Sequence, residues 1–146
     1  MKIFTCSQIR EIDGYTIKTE PIPSIDLMER AASQLFKWYI RTFDRSHKVM
    51  VITGPGNNGG DGLALARLLS QSRFVVEVYN LMFTDKTSED WNINKQRLEQ
   101  ETAVVFSDIE NPGQFPLFDS DDVIIDAIFG SGLKRPAEGL VSELIK

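Results

Sequence analysis

Two asparagines and an aspartate, Asn57, Asn58 and Asp61, stand in a turn that also holds Gly54, Gly56, Gly59, Gly60 and Gly62. Glycines let backbone amides come close to a ligand, and a helix opening in such a turn adds positive partial charge at its N-terminus. That pairing suits a phosphate or pyrophosphate. The carboxamides and the carboxylate exceed what a bare phosphate cradle needs, so the turn has the chemistry of a substrate site. A second candidate is Asp126, inside the apolar run Val123-Ile124-Ile125-Asp126-Ala127-Ile128-Phe129, which leads into Gly130-Ser131-Gly132-Leu133-Lys134-Arg135-Pro136. A carboxylate in a buried apolar run is costly without a partner. A cation, a loop amide or a substrate hydroxyl would each serve.

Most known phosphate loops do not fit the first turn. A Walker loop needs Lys-Ser or Lys-Thr after its last glycine, whereas Gly60 is followed by Asp61 and Gly62. Gly54, Gly56 and Gly59 do satisfy Gly-x-Gly-x-x-Gly. A dinucleotide fold, however, also places an acid at the tip of the next strand to hold ribose hydroxyls. That strand, Phe74 to Leu81, carries Glu77 in its interior and no acid at its tip. An ordinary hydride-transferring dehydrogenase is therefore disfavoured.

The elements that must position these residues can be read from periodicity. Thr5 and Gln8 have capping-box spacing, and Ile9, Ile12, Thr16 and Ile17 share a face of the first helix. After Pro21 and Pro23, Ser24 is the expected cap of a second helix, with Asp26 in its first turn. Its expected buried stripe is Met28, Ala31, Ala32, Leu35, Phe36 and Tyr39. Val49 to Thr53 is an apolar strand, and Leu63, Leu65, Ala66 and Leu69 mark the helix after the glycine turn. Further on come a polar helix from Ser88 to Gln100, a short strand from Ala103 to Phe106 and a loop from Asn111 to Asp119. A last buried strand runs from Val123 to Phe129. Alternating strands and helices predict a Rossmann-like three-layer α/β/α fold with a mostly parallel sheet, preceded by two helices. Val49 to Thr53, apolar on both faces, belongs at its centre. Leu140, Val141, Leu144 and Ile145 begin an apolar helical face that would lead to another strand, so residues 1–146 are expected to be part of a longer domain.

Three segments in order now carry a family resemblance. Ile25-Asp26-Leu27-Met28-Glu29-Arg30-Ala31, the stretch from Gly54 to Arg67, and Asp126-Ala127-Ile128-Phe129-Gly130-Ser131-Gly132-Leu133 together resemble the NAD(P)H-hydrate epimerase family. The resemblance runs nearly end to end. One departure is Pro21, where family members usually have glycine. Another is length: members continue to an Asp-x-Pro-Ser-Gly strand that is absent here. The resemblance implies an isomerase that interconverts the R and S epimers of hydrated NADH or NADPH, the hydroxyl sitting on carbon 6 of the nicotinamide ring. It implies that Asn57, Asn58, Gly59, Gly60 and Asp61, with Gly130, Ser131, Gly132, Leu133, Lys134, Arg135 and Pro136, bind this substrate. It assigns Asn58 and Asp126 to a potassium ion and makes Asp126 the first choice of catalytic residue. With the further strand missing, residues 1–146 alone are expected to work poorly. Bifunctional relatives carry a dehydratase domain after this one, and association into homo-oligomers is a further expectation. A rival reading is a non-catalytic ligand- or protein-binding module on the same fold.

Composition bounds the rest. The 146 residues, 42% hydrophobic and 25% charged, are enough for one domain with a real core. A net charge of −5 argues against a general nucleic-acid surface, and an anionic ligand would have to be held by local donors. No membrane partner is expected, since no apolar run approaches a span. One cysteine, Cys6, excludes an internal disulfide and suits a reducing compartment, and with no signal-peptide pattern the expected location is cytoplasmic. His47, the single histidine, reads as a solvated loop residue.

Overall fold

The computed structural model describes residues 4–130 and 136–145. Four strands, β1 (Val49–Thr53), β2 (Val76–Leu81), β3 (Val105–Ile109) and β4 (Val123–Ala127), form an all-parallel sheet in the order β3-β2-β1-β4. Helices α1 (Cys6–Thr19) and α2 (Ser24–Thr42) precede the sheet, and α3 (Asn57–Gln71), α4 (Glu89–Glu101) and α5 (Gly139–Leu144) follow β1, β2 and β4. All five residues of β1 are buried, as expected of a strand hydrogen-bonded on both sides.

The pleat divides the core in two. Val49, Val51, Val78 and Ala127 point to one face and pack with α3, α4 and Tyr39 of α2. Ile52, Leu81, Ile109 and Ile128 point to the other and pack with Val141 of α5. Helix α3 is buried nearly all round because it lies between the sheet and the α2 and α4 helices. Arg67 ends this helix's motif segment. Its guanidinium, 9% exposed, bonds Glu29 of α2 and, at 3.1 Å, Glu101 of α4, joining all three helices.

Several expectations shift. Thr5 and Gln8 do form a capping box, the Thr5 amide donating to Gln8 Oε1 at 2.9 Å. Yet α1 has no buried residue, and Ile9, Ile12 and Ile17 are exposed: their stripe meets no apolar surface among the described residues. Ser24 is not a cap. Pro23 holds that place in extended backbone, and the Ser24 hydroxyl donates to buried Asp90 at 3.1 Å. In α2 the buried side is Met28, Ala32 and Tyr39 with Phe36 half-buried, whereas Ala31 and Leu35 face outward. The third strand runs over Val105–Ile109, because pairing with Glu77–Leu81 carries it on to the buried Ile109. Ser88, expected as the first residue of the polar helix, is instead the cap of α4, accepting from the Trp91 amide at 3.2 Å.

The largest correction concerns β4. It is paired only with β1, so among the described residues it is an edge strand, and Ile124 and Asp126 are exposed on the α5 side of the sheet. The premise of a buried carboxylate at Asp126 does not hold.

Candidate functional site

The chain winds from β1 to β2 to β3 in one direction and then places β4 on the other side of β1. Strand order thus reverses between β1 and β4, and in open parallel sheets a crevice opens at the carboxyl ends beside such a point. The glycine turn leaves β1 there and the segment after β4 arrives there.

Close backbone approach explains the glycines. The Gly54 amide donates to Ala127 O at 3.1 Å, and a Cβ on Gly54 would lie 2.2 Å from Ile128 O. A Cβ on Gly59 would lie 1.9 Å from Gly54 O. The end of β4, the end of β1 and the first turn of α3 are therefore stacked backbone on backbone, with no room for side chains between them. Gly56 is the N-cap residue, and no side chain caps α3. The first-turn amides of Asn57, Asn58 and Gly59 have no partner within the helix, as in any α-helix start.

Asn58 spans the switch point: its Nδ2 donates to Phe129 O at 3.1 Å, and Gly130 packs against its side chain. The Asp126 carboxylate accepts from the Ile128 amide at 3.0 Å. One of the three partners open to Asp126 on sequence, a loop amide, is thus met. Asn58 and Asp126 thus engage backbone groups of two consecutive residues, Phe129 and Ile128, just past the carboxyl end of β4. Asn57 is exposed, Gly60 is buried against Met28, and Pro136 is exposed. Ser131, Gly132, Leu133, Lys134 and Arg135 lie outside the described residues. His47 lies at the opposite, amino end of β1, its Nδ1 2.8 Å from Asp121 O.

Asp61, one turn into α3, is partly buried and its pKa is raised to about 6, first by desolvation and then by the charges of Asp13 and Asp90. Capping-type stabilisation by the helix dipole is thus outweighed at this residue. As for a cation, the carboxamide oxygen of Asn58, the carboxylate of Asp126 and nearby backbone carbonyls are hard oxygen donors, the type that suits an alkali or alkaline-earth ion. No group of three or more His, Cys, Asp or Glu forms a metal cluster among the described residues. The donor chemistry of Asn58 and Asp126 is of a type compatible with potassium.

Sequence reasoning missed a neighbouring row of side chains. Thr53 Oγ1 donates to Asn80 Oδ1 at 3.4 Å, and Asn80 Nδ2 donates to Asp108 Oδ1 at 2.7 Å. The row crosses the carboxyl ends of β1, β2 and β3 and edges a cavity of about 180 Å³ whose wall includes Pro55 and Trp91. Asp108 escaped notice because the expected third strand stopped at Phe106; extending that strand in phase would have set it beside Asn80.

Known proteins resemble this chain in sequence and in fold. Residues 24–146 match the family described as YjeF-related protein N-terminus. The chain is 37% identical over 142 residues to a Limosilactobacillus fermentum protein named NAD(P)H-hydrate epimerase, covering 97% of this chain and 65% of that one. It is 36% identical over 140 residues to a protein of the same name from Oenococcus oeni, covering 94% and 63%. The chain therefore spans about two thirds or less of these relatives' lengths. The crystal structure of yeast ynu0 superposes with a TM-score of 0.83 at 24% identity, over 99% of this chain and 63% of that one, and supports the fold. The matched segment contains the glycine turn, the switch point and β4, and the chain belongs to the YjeF-related N-terminal family.

Proposed function

We propose that the protein is an NAD(P)H-hydrate epimerase, interconverting the R and S epimers of hydrated NADH and NADPH. The observation that carries this reading is the Asn58 Nδ2–Phe129 O hydrogen bond, 3.1 Å, which ties the glycine turn to the end of β4 at the switch point. The curated relatives named NAD(P)H-hydrate epimerase support it.

The first-turn amides of α3 receive the pyrophosphate, where they and the helix dipole favour negative charge. Asn57 and Asp61 bind polar groups of the substrate, and the segment from Gly130 to Pro136 contributes to its binding. At the reacting ring, the nitrogen lone pair assists departure of the carbon-6 hydroxyl and leaves a flat iminium that water can re-enter from either face. Asp126 gives a proton to the leaving hydroxyl and takes one from the returning water. Its exposure at the strand edge gives it access to that water. Asn58 and Asp126 would hold a potassium ion, which when bound supplies positive charge beside the reacting centre. The single cysteine suits the reducing conditions of a cytoplasmic location.

The test is the rate of epimer interconversion, followed by chromatography, for the full-length protein and its Asp126→Asn variant. The variant should be slower by about a hundredfold or more. Its affinity for ADP-ribose, which lacks the reacting ring, should stay near the parent's. A variant as fast as the parent would remove Asp126 from proton handling.

A further inference from the structure

We propose that Asp108, oriented by Asn80, is the ribose-binding acid of this site and makes the enzyme prefer hydrated NADH over hydrated NADPH. The inference rests on the epimerase reading and adds the adenosine end of the substrate to it.

The cavity of about 180 Å³ adjoins the glycine turn, since Pro55 is in its wall and Pro55 O accepts from the Ser88 amide at 3.0 Å. It lies over the carboxyl ends of β2 and β3. In doubly wound folds a dinucleotide laid on the first glycine turn extends its adenosine half in this direction. An acid at the tip of the second strand then accepts from the ribose hydroxyls. Here that tip carries a neutral residue, Asn80, 3% exposed. The register partner of Asn80 on the next strand is Asp108, and the two side chains are joined at 2.7 Å. Asn80 is itself held from the other side by Thr53 Oγ1. The acid is thus supplied one strand away and locked in place by a buried amide. A carboxylate has about four acceptor sites; Asn80 uses one, and a vicinal diol needs two.

Charge then decides between the two substrates. NADPH carries a phosphate where NADH carries the 2′-hydroxyl, and a site for it needs an uncommitted cation. The lysine in the cavity wall, Lys95, is bonded to Glu99 at 2.6 Å and lies 4.8 Å from the centroid of the Phe106 ring. Asp85 adds a second carboxylate to the wall. A phosphate dianion would meet negative charge, and a hydroxyl would meet acceptors.

The experiment measures kcat/KM for hydrated NADH and hydrated NADPH with the full-length protein and with Asp108→Asn, alongside calorimetric affinities for ADP-ribose and 2′-phospho-ADP-ribose. The parent should favour hydrated NADH and ADP-ribose. Asp108→Asn should lower both preferences about tenfold or more, the worth of one hydrogen bond to a charged group. The change should fall in KM while kcat holds, and Asp108→Glu should restore part of the preference. A parent that prefers the 2′-phosphorylated forms, or preferences that Asp108→Asn leaves unchanged, would overturn the proposal. If the parent does not epimerise at all, the epimerase reading fails, and the two affinities still decide the role of Asp108.

Discussion

At Asp61 a carboxyl group is held partly inside the protein, facing Asp13 and Asp90, and its pKa rises to about 6. The sign of the consequence follows from linkage. The folded chain keeps a proton that the unfolded chain releases near pH 4, so stability from this group falls as pH rises from about 4 to about 6 and stays low above that. Asp61→Asn should therefore stabilise the protein at pH 7.5, by on the order of 1–3 kcal/mol, and should matter little near pH 3.5. Urea unfolding at the two pH values reads this directly, and equal effects at both would refute the assignment. The sequence placed Asp61 at the opening of a helix, where the dipole favours negative charge. It did not reveal Asp13 and Asp90, because one belongs to α1 and the other to α4, and only tertiary packing brings them near. Asp126 illustrates the same limit. Its run of apolar neighbours was legible, but whether they are covered depends on where β4 falls in the sheet.

Helix contacts answer a different question, namely what holds the glycine turn at its proper height above the sheet. Helix α3 carries that turn, and Arg67 at its far end joins Glu29 and Glu101 on the two flanking helices. Arg97 also reaches Glu29, at 3.6 Å. Removing Arg67 leaves Glu29 with a weaker partner, whereas Glu101 is exposed enough to be solvated. Arg67→Met should cost about 2–4 kcal/mol, somewhat below the usual penalty for breaking a buried pair, because Arg97 compensates in part. Adding Glu29→Gln should recover about 1 kcal/mol or more of that loss in a double-mutant cycle. Additive effects would show that the two residues do not act together. The helices themselves were well marked in sequence: the cap at Thr5, the start of the polar helix near Ser88 and the stripe Leu63, Leu65, Ala66 and Leu69 all have local causes. The errors came where a local signal was ambiguous. Pro23 and Ser24 can each precede a helix, and the third strand's weak alternation left its phase open by two residues.

For the molecule as a whole, topology rather than any single residue makes the site. The reversal of strand order between β1 and β4 opens a crevice, and the backbone stack from Ile128 through Gly54 to Gly59 sets its floor. The two motif segments were each visible in sequence, 71 residues apart from Asn58 to Phe129, and the fold joins them through one hydrogen bond. The Asn80–Asp108 pair was not visible as a pair, since pairing between β2 and β3 is non-local. The central claim is that the joined segments act on hydrated nicotinamide nucleotides. Its most direct test is the rate at which the full-length protein converts the R epimer of hydrated NADH to S, measured by chromatography against the spontaneous rate in the same buffer. The account predicts conversion that is proportional to protein concentration and well above that background. A rate indistinguishable from the background at every protein concentration would contradict it.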